Sequence, residues 1–451
     1  MKPEYKILSP TAILGYGFPM ESFERGMAQK PDLIAVDAGS TDPGPYYLGA
    51  GVSFTDRSAV KRDLEVMITA GIEHNIPVVV GTAGGSGGES HLQWCKQIIE
   101  EIAAEHSLHF KLAVIHAQFK KEDVKAALAE GRVKPLEPAP ELLFSDVDEA
   151  SCIVGQMGIE PIIKALDGGA QVVLAGRAYD PSNFAAPAVR AGYDKALAIH
   201  LGKILECAAI AATPGSGSDC MLGTLGEDYF CVEPLNPARK CTTVSVAAHT
   251  LYEKTNPYIL PGPGGSLDLR ECKFEQASEG KVKVSGTKFV PTERYTIKLE
   301  GAKLVGYRTV SIAGMRDPIG ISQIDNITAA VRERVEDNFR ESNFKYYLNF
   351  TIYGRDGVMG ALEPDRAVGK EIGIVIEAVA DTQALADTIC AFARSTMLHF
   401  GYEGRIATAG NLAFPYSPSD FHAGEVYGFC LYHIIEVDDP CAMFPVDFEQ
   451  I

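Results

Sequence analysis

The chain has 451 residues, 46% of them hydrophobic and 22% charged, with a net charge of −18. That length supports two or three domains with a sizeable core. The acidic balance argues against nucleic acid and against an anionic membrane surface, while a local Arg can still hold a small anionic substrate. Ten cysteines are scattered without a C-x-x-C pair, the pattern of a reduced cytoplasmic protein rather than a disulfide framework or a zinc site. The start, M-K-P-E-Y-K-I-L-S, lacks an apolar signal core, and no run has the length of a membrane span.

In chain order, Ile7 to Tyr16 predicts a first strand and turn, and Phe18 to Lys30 a helix. Leu33 to Val36 is a short apolar strand that runs into D-A-G-S-T-D-P-G-P, Asp37 to Pro45. Polar residues at the carboxyl end of a parallel strand commonly line a ligand crevice. Asp37 and Asp42 can act as base or bind a divalent metal, and Ser40 and Thr41 can hold an anion. The same residues equally make an Asx/Pro turn with helix caps. A helix from Asp56 to His74 follows, with Val60, Leu64, Met67 and Ile68 on one side.

Pro77 to Glu89 reads P-V-V-V-G-T-A-G-G-S-G-G-E: strand, glycine loop, then a helix to about His106. Glycines permit positive φ and close approach of a ligand, and a helix start offers unpaired N–H groups. Thr82, Gly84, Gly85, Ser86 and Gly87 are therefore candidate ligand contacts, and the loop is expected to border the main cleft. It is neither a Walker loop nor a dinucleotide fingerprint, since no Lys follows and the G-x-G-x-x-G spacing is absent. The alternative is a tight strand-to-helix turn without a ligand.

Phe110 to Ile115 predicts a strand ending at His116 and Gln118, and Lys121 to Glu130 a helix. Pro135 to Ala150 reads as a loop, Ile159 to Leu166 as a helix, and Gln171 to Ala175 as a strand. That strand runs into G-R-A-Y-D-P-S-N-F. Arg177 can clamp a carboxylate or phosphate with Asp180 as orienting group or acid/base, or the two can simply tie a loop down. Ile199 to Ala212 is a helix carrying Lys203, Glu206 and Cys207. Cys220 has no His in a recognisable pattern and reads as an inert thiol. Thr242 to Ala248 reads as a β-rich run leading to His249, Tyr252 and Glu253, one face of a helical turn that is either an acid/base set or a surface helix. Pro261 to Ser266 is a further glycine loop. Residues from about 270 to 313 alternate as antiparallel strands. After the helix Ile324 to Phe339, strands at Tyr347–Tyr353, Glu371–Ala380 and Glu425–Val437 surround the helix Asp381–Phe400. The expected class is α/β, a mainly parallel sheet with helices on both faces, followed by a smaller C-terminal α+β domain. The expected domains are 1–335, with a β-rich insertion near 240–313, and 340–451.

Five segments in order, D-A-G-S-T-D-P-G-P, G-T-A-G-G-S-G-G, L-A-G-R-A-Y-D, V-A-A-H-T-L-Y-E and P-G-P-G-G-S, resemble the acyclic terpene utilisation protein A (AtuA) family over roughly residues 8 to 365. The last part is similar to the ferredoxin-like companion domain seen with that family. The resemblance implies a cytoplasmic catabolic protein acting on a carboxylic acid or its CoA thioester, with CoA as a substrate moiety; it brings no catalytic set with it. The residues themselves suggest a lyase or hydratase. Asp37, Asp42, Asp180, His249 and Glu253 are the acid/base candidates, with Ser40, Thr41, the glycine loop and Arg177 holding an anionic group. The alternatives are a non-catalytic binding or scaffolding subunit of an acyl-CoA degradation complex, and a Ser or Cys hydrolase or acyltransferase, for which the nucleophile's partners are missing. A metal requirement stays open. Uncovered strand edges lead us to expect a homo-oligomer.

Overall fold

Runs of β-branched and aliphatic residues build the centre: L-I-A-V-D, V-V-V-G, K-L-A-V-I and V-V-L-A form the strands Leu33–Asp37, Val78–Gly81, Lys111–Ile115 and Val172–Ala175. Their side chains are apolar on both faces, as a sheet covered on both sides requires. A computed structural model describes residues 3–40, 43–252, 255–342, 344–365 and 367–451; Thr41, Asp42 and Glu253 lie outside the described residues. The chain divides into two compact units, Met1–Lys303 with Phe429–Ile451, and Leu304–Gly428.

The first unit holds a ten-stranded sheet. Its order is Lys273–Ser278, Lys281–Ser285, Tyr229–Pro234, Met221–Leu225, Tyr5–Ser9, Leu33–Asp37, Val78–Gly81, Val172–Ala175, Lys111–Ile115 and Val446–Gln450. The strands from Tyr5–Ser9 to Lys111–Ile115 in this order are parallel. All flanking pairings are antiparallel. The class is thus α/β, but the sheet is mixed, and the expected parallel sheet is one segment of it. The reason is local on one side: Met221–Leu225 and Tyr229–Pro234 are joined by three residues, Gly226 to Asp228, and so short a link allows only antiparallel pairing. Alternate residues of the parallel strands enter two cores. Leu33, Ala35, Val79 and Val173 pack under the helices Glu160–Asp167, Ser182–Arg190 and Lys195–Leu205. Ile34, Val36, Val80 and Leu174 pack under Arg57–His74 and Glu89–His106. The helix Arg57–His74 begins at Asp56, whose carboxylate accepts from the N–H groups of Ser58 and Ala59.

Two elements differ in kind from their sequence reading. Pro135 to Ala150 is not all loop, because the helix Phe144–Glu149 lies within it. Thr242–Ala248 is not a strand; the helix Thr243–Leu251 occupies it. A capping box decides this: Thr242 Oγ1 accepts from Ser245 N–H at 3.0 Å, and Thr242 N–H donates to Ser245 Oγ at 3.0 Å. Local capping overrides the β-branched propensity of the run. The Pro261–Ser266 stretch is the turn of a hairpin between Ile259–Gly262 and Gly265–Asp268.

In the second unit, the carboxyl half of Tyr295–Met315 pairs antiparallel with Ile372–Ala380, which pairs antiparallel with Tyr346–Tyr353. The helices Ile324–Asn338 and Gln383–Leu398 cover it, with Val331, Val335, Ile374, Ile376 and Ile389 in the core. Among the described residues, no helix is long and apolar enough to cross a membrane.

The edge strand Val446–Gln450 is tied to the sheet by a charged clip. His116, just past Lys111–Ile115, lies with Nδ1 2.8 Å from Glu89 Oε2 and Nε2 3.1 Å from Asp447 Oδ2. Burial disfavours the charged ring, but the two carboxylates outweigh it and raise its pKa. A raised His contributes stability in full below its ordinary value near 6.5, and that contribution is lost as pH rises through the folded value. Hydrogen exchange of the Val446–Gln450 amides, corrected for intrinsic rates, should therefore accelerate above neutral pH. His116→Asn should remove this pH-dependent component; an unchanged pH profile in that variant would count against the clip.

Candidate functional site

The strand ends converge as a parallel sheet dictates. Asp37 is in register with Gly81. Beyond the strands, backbone bonds join the loops: Ala38 N–H to Gly81 O at 2.9 Å, Ser40 N–H to Gly85 O at 3.3 Å, Thr82 N–H to Gly176 O at 3.0 Å and Arg177 N–H to Gly87 O at 3.2 Å. So Asp37, Ser40, the glycine loop and Arg177 meet at one edge.

Arg177 is buried at their centre. Its Nε donates to Glu300 Oε2 at 2.7 Å, one terminal nitrogen to Glu300 Oε1 at 3.4 Å, and the other to Asp180 Oδ1 and Ala178 O, both at 3.0 Å. Glu300 also pairs with Lys298 at 2.6 Å. Burial pushes the Glu300 carboxyl up, yet Arg177 and Lys298 overcome it and hold it at about 2. Arg177 thus ties three segments together, and an incoming anion would have to compete with carboxylates already bound. Glu300 is not visible as a site residue in the sequence: it follows the buried Leu299 in an alternating strand, a position that normally faces water.

Asp37 is the opposite case. It is 4% exposed. Burial raises its pKa, and the charges of Asp180 and Glu206 raise it further; Arg177 and the Gly39 N–H, 3.2 Å from Oδ1, only partly offset this. The net effect is a pKa raised well above the ordinary carboxylate value, chiefly by burial.

Glu206 belongs to a second group on this side of the sheet. It pairs with Lys203 at 2.5 Å. The Tyr252 hydroxyl lies 3.5 Å from Glu206 Oε1 and 3.0 Å from Cys207 Sγ. His249 is buried and stacks on the Tyr252 ring at 4.6 Å between centroids. His249 therefore reaches this group through Tyr252, the residue that ends its helix.

The glycine loop has a packing explanation. Gly84, Gly85 and Gly87 have φ of 60°, 94° and 70°. A Cβ on Gly87 would sit 2.1 Å from Arg177 N, and one on Gly85 2.3 Å from the Phe54 ring. The N-terminal N–H of the following helix is already bonded, Glu89 N–H to Gln118 Oε1 at 2.9 Å. Thr82 is the strained member: a buried β-branched residue at φ 54°. Its Oγ1 accepts from Ala178 N–H at 3.2 Å and from Arg177 at 3.4 Å, which holds it there. Among the described residues, the cavity found at the loop is small. Ser40, Gly85, Ser86, Arg177 and Glu300 line a cavity of about 20 Å³, room for one water, which needs about 10–15 Å³. Larger cavities lie elsewhere, one of about 630 Å³ at the opposite, amino-terminal edge near Tyr5, Asp32, Asn75 and Gln171, and one of about 950 Å³ in the second unit near Glu333, Arg340 and His399. Among the described residues no group of three or more His, Cys, Asp or Glu is placed to hold a metal ion.

A family model described as acyclic terpene utilisation family protein AtuA matches residues 56–219 and 234–414. The chain belongs to the AtuA family. Arg177, Asp180, Lys203, Glu206, His249 and Glu300 fall within the matched segments, while Asp37 precedes them. No curated protein and no solved structure matches the chain.

Proposed function

We propose that this AtuA-family protein is a lyase or hydratase acting on a small carboxylic acid or its CoA thioester by acid–base chemistry. The observation that carries the reading is Asp37: a carboxyl at a strand end, buried beside the Arg177 network, with its pKa raised well above the ordinary value. A carboxyl raised in this way can give a proton to a leaving oxygen, which an ordinary surface Asp, ionised at neutral pH, does poorly. The strained Thr82 alongside it supports the same reading, since such strain gathers at working sites. The cavity beside Arg177 has room for one water, and Asp37 is not among its lining residues.

That small cavity is also what favours a second reading, a non-catalytic binding or scaffolding subunit. The discriminating experiment incubates the purified protein with a panel of 3-hydroxy acids, their CoA thioesters and the corresponding unsaturated forms, followed by mass spectrometry. Interconversion by the protein alone supports the lyase; conversion of no panel member would refute it. The second unit is read as ferredoxin-like, supported by its order strand–helix–strand–strand–helix–strand and its sheet order Tyr346–Tyr353, Ile372–Ala380, Tyr295–Met315, Asp420–Val437. A crystal structure with another strand order would sink that reading.

A further inference from the structure

A Lys and a Glu three apart on a helix are usually two solvated charges. Lys203 and Glu206 are instead 6% and 4% exposed. A buried ion pair gives little net stability over apolar residues of similar volume, because both charges are stripped of water. Its surroundings are reactive in kind: Lys203 lies 4.5 Å over the Tyr252 ring, with the Tyr252 hydroxyl and Cys207 beside it.

The backbone places this pair next to Asp37. Glu206 caps the helix Lys195–Leu205. Ser9 Oγ donates to the carbonyl of Leu205, one residue earlier, at 2.6 Å. Ser9 is the last residue of its strand, and the parallel neighbour of that strand ends at Asp37. Adjacent strands run about 4.8 Å apart, and the register of Leu8 with Ile34 puts Asp37 two residues beyond the level of Ser9, so both carboxyls lie toward the carboxyl edge of the sheet. Close by, the Tyr179 hydroxyl is buried without a hydrogen-bond partner among the described residues. The charges acting on it are those of Glu206, Lys203 and Asp180. A Cβ on Gly262 would lie 2.9 Å from the Tyr179 ring, so that glycine lets the hairpin cover it. A buried hydroxyl left unpaired is costly, and a ligand oxygen would satisfy it.

We propose that Glu206 and Asp37 are the proton acceptor and donor of one dehydration step on a β-hydroxy acid or thioester, with Tyr179 donating to the substrate carbonyl oxygen. This rests on the lyase reading above and assigns its roles. Glu206 takes the proton from the carbon next to the carbonyl. The freed electron pair forms the carbon–carbon double bond as the bond to the hydroxyl oxygen breaks, and the Asp37 proton completes the departing water. Asp37 is left ionised and Glu206 protonated; passing that proton from Glu206 to Asp37 resets the site, and hydration is the reverse. Lys203 is a positioning residue that fixes the Glu206 carboxylate.

Infrared difference spectra between the wild type and Asp37→Asn isolate the Asp37 carboxyl stretch, and its loss with rising pH gives a midpoint. Asp180, Arg177 and Glu206 face this group. In Glu206→Gln one repelling charge is gone, so the midpoint should fall, with the proton concentration there rising about tenfold or more. An unmoved midpoint overturns the pair, even for a protein that interconverts members of the panel above; absence of any conversion fails the lyase reading instead. Glu206→Asp guards against misfolding of the Gln variant. It should keep the high midpoint yet lose about tenfold or more of the turnover, because the shortened carboxylate no longer reaches the substrate proton. A lowered midpoint or unchanged turnover in Glu206→Asp also overturns the proposal.

Discussion

Asp37→Asn is expected to lose turnover by about 10²- to 10⁴-fold, the usual contribution of a positioned acid or base, while becoming the more stable protein at alkaline pH. The two effects have one cause. The Asp37 carboxyl is buried among Asp180 and Glu206, so its pKa stands well above the ordinary 3.8. The stability it contributes is complete below that ordinary value and is lost as pH rises through the raised folded value. Asn keeps the shape and never ionises, so the variant escapes that loss. Urea unfolding of both proteins from pH 4 to pH 9 reads it out: the gap in favour of Asn should widen as pH rises. A gap that stays flat would mean that Asp37 titrates normally, and the case for it as a proton donor would go with it.

Arg177→Met should cost about 3–5 kcal/mol of folding stability, the penalty for leaving buried charge uncompensated. Removing the guanidinium strands Glu300 with Lys298 alone, frees Asp180 to repel Asp37, and deprives Thr82 of a bond that holds its unusual backbone. Arg177→Met combined with Glu300→Leu should recover much of the loss, because it removes the stranded charge as well. Arg177→Lys should fall between, since an ammonium keeps the charge but loses the fork on Glu300. If Arg177→Met unfolds at the wild-type urea concentration, the network is a bystander.

Much of the site is legible in the sequence because strand ends are. Leu33-Ile34-Ala35-Val36 and Val78-Val79-Val80 announce buried strands, and the residues just beyond each must lie at the carboxyl edge. Asp37, Arg177 and Asp180 stand out in that way. Glu300 and Glu206 do not, because their importance comes from burial, and burial of an acid is decided by tertiary contacts that no local pattern encodes. The purpose of the glycines is hidden for a related reason. Their density points to close approach, but sequence does not say by what; Gly87 is approached by the Arg177 backbone and Gly85 by Phe54. One antiparallel flank of the sheet leaves no local trace because Val446–Gln450 finds its partner, Lys111–Ile115, at great sequence distance.

That last pairing bears on how the protein is made. A ribosome delivers the chain from its amino end, so residues 304–428 emerge whole while the first unit still lacks Phe429–Ile451. Until residues 446–450 appear, Lys111–Ile115 presents an apolar, unpaired sheet edge to every other nascent chain nearby. Closing it requires a contact across most of the chain, which slows folding. Overexpression should therefore lose material during synthesis, before the finished protein is ever challenged.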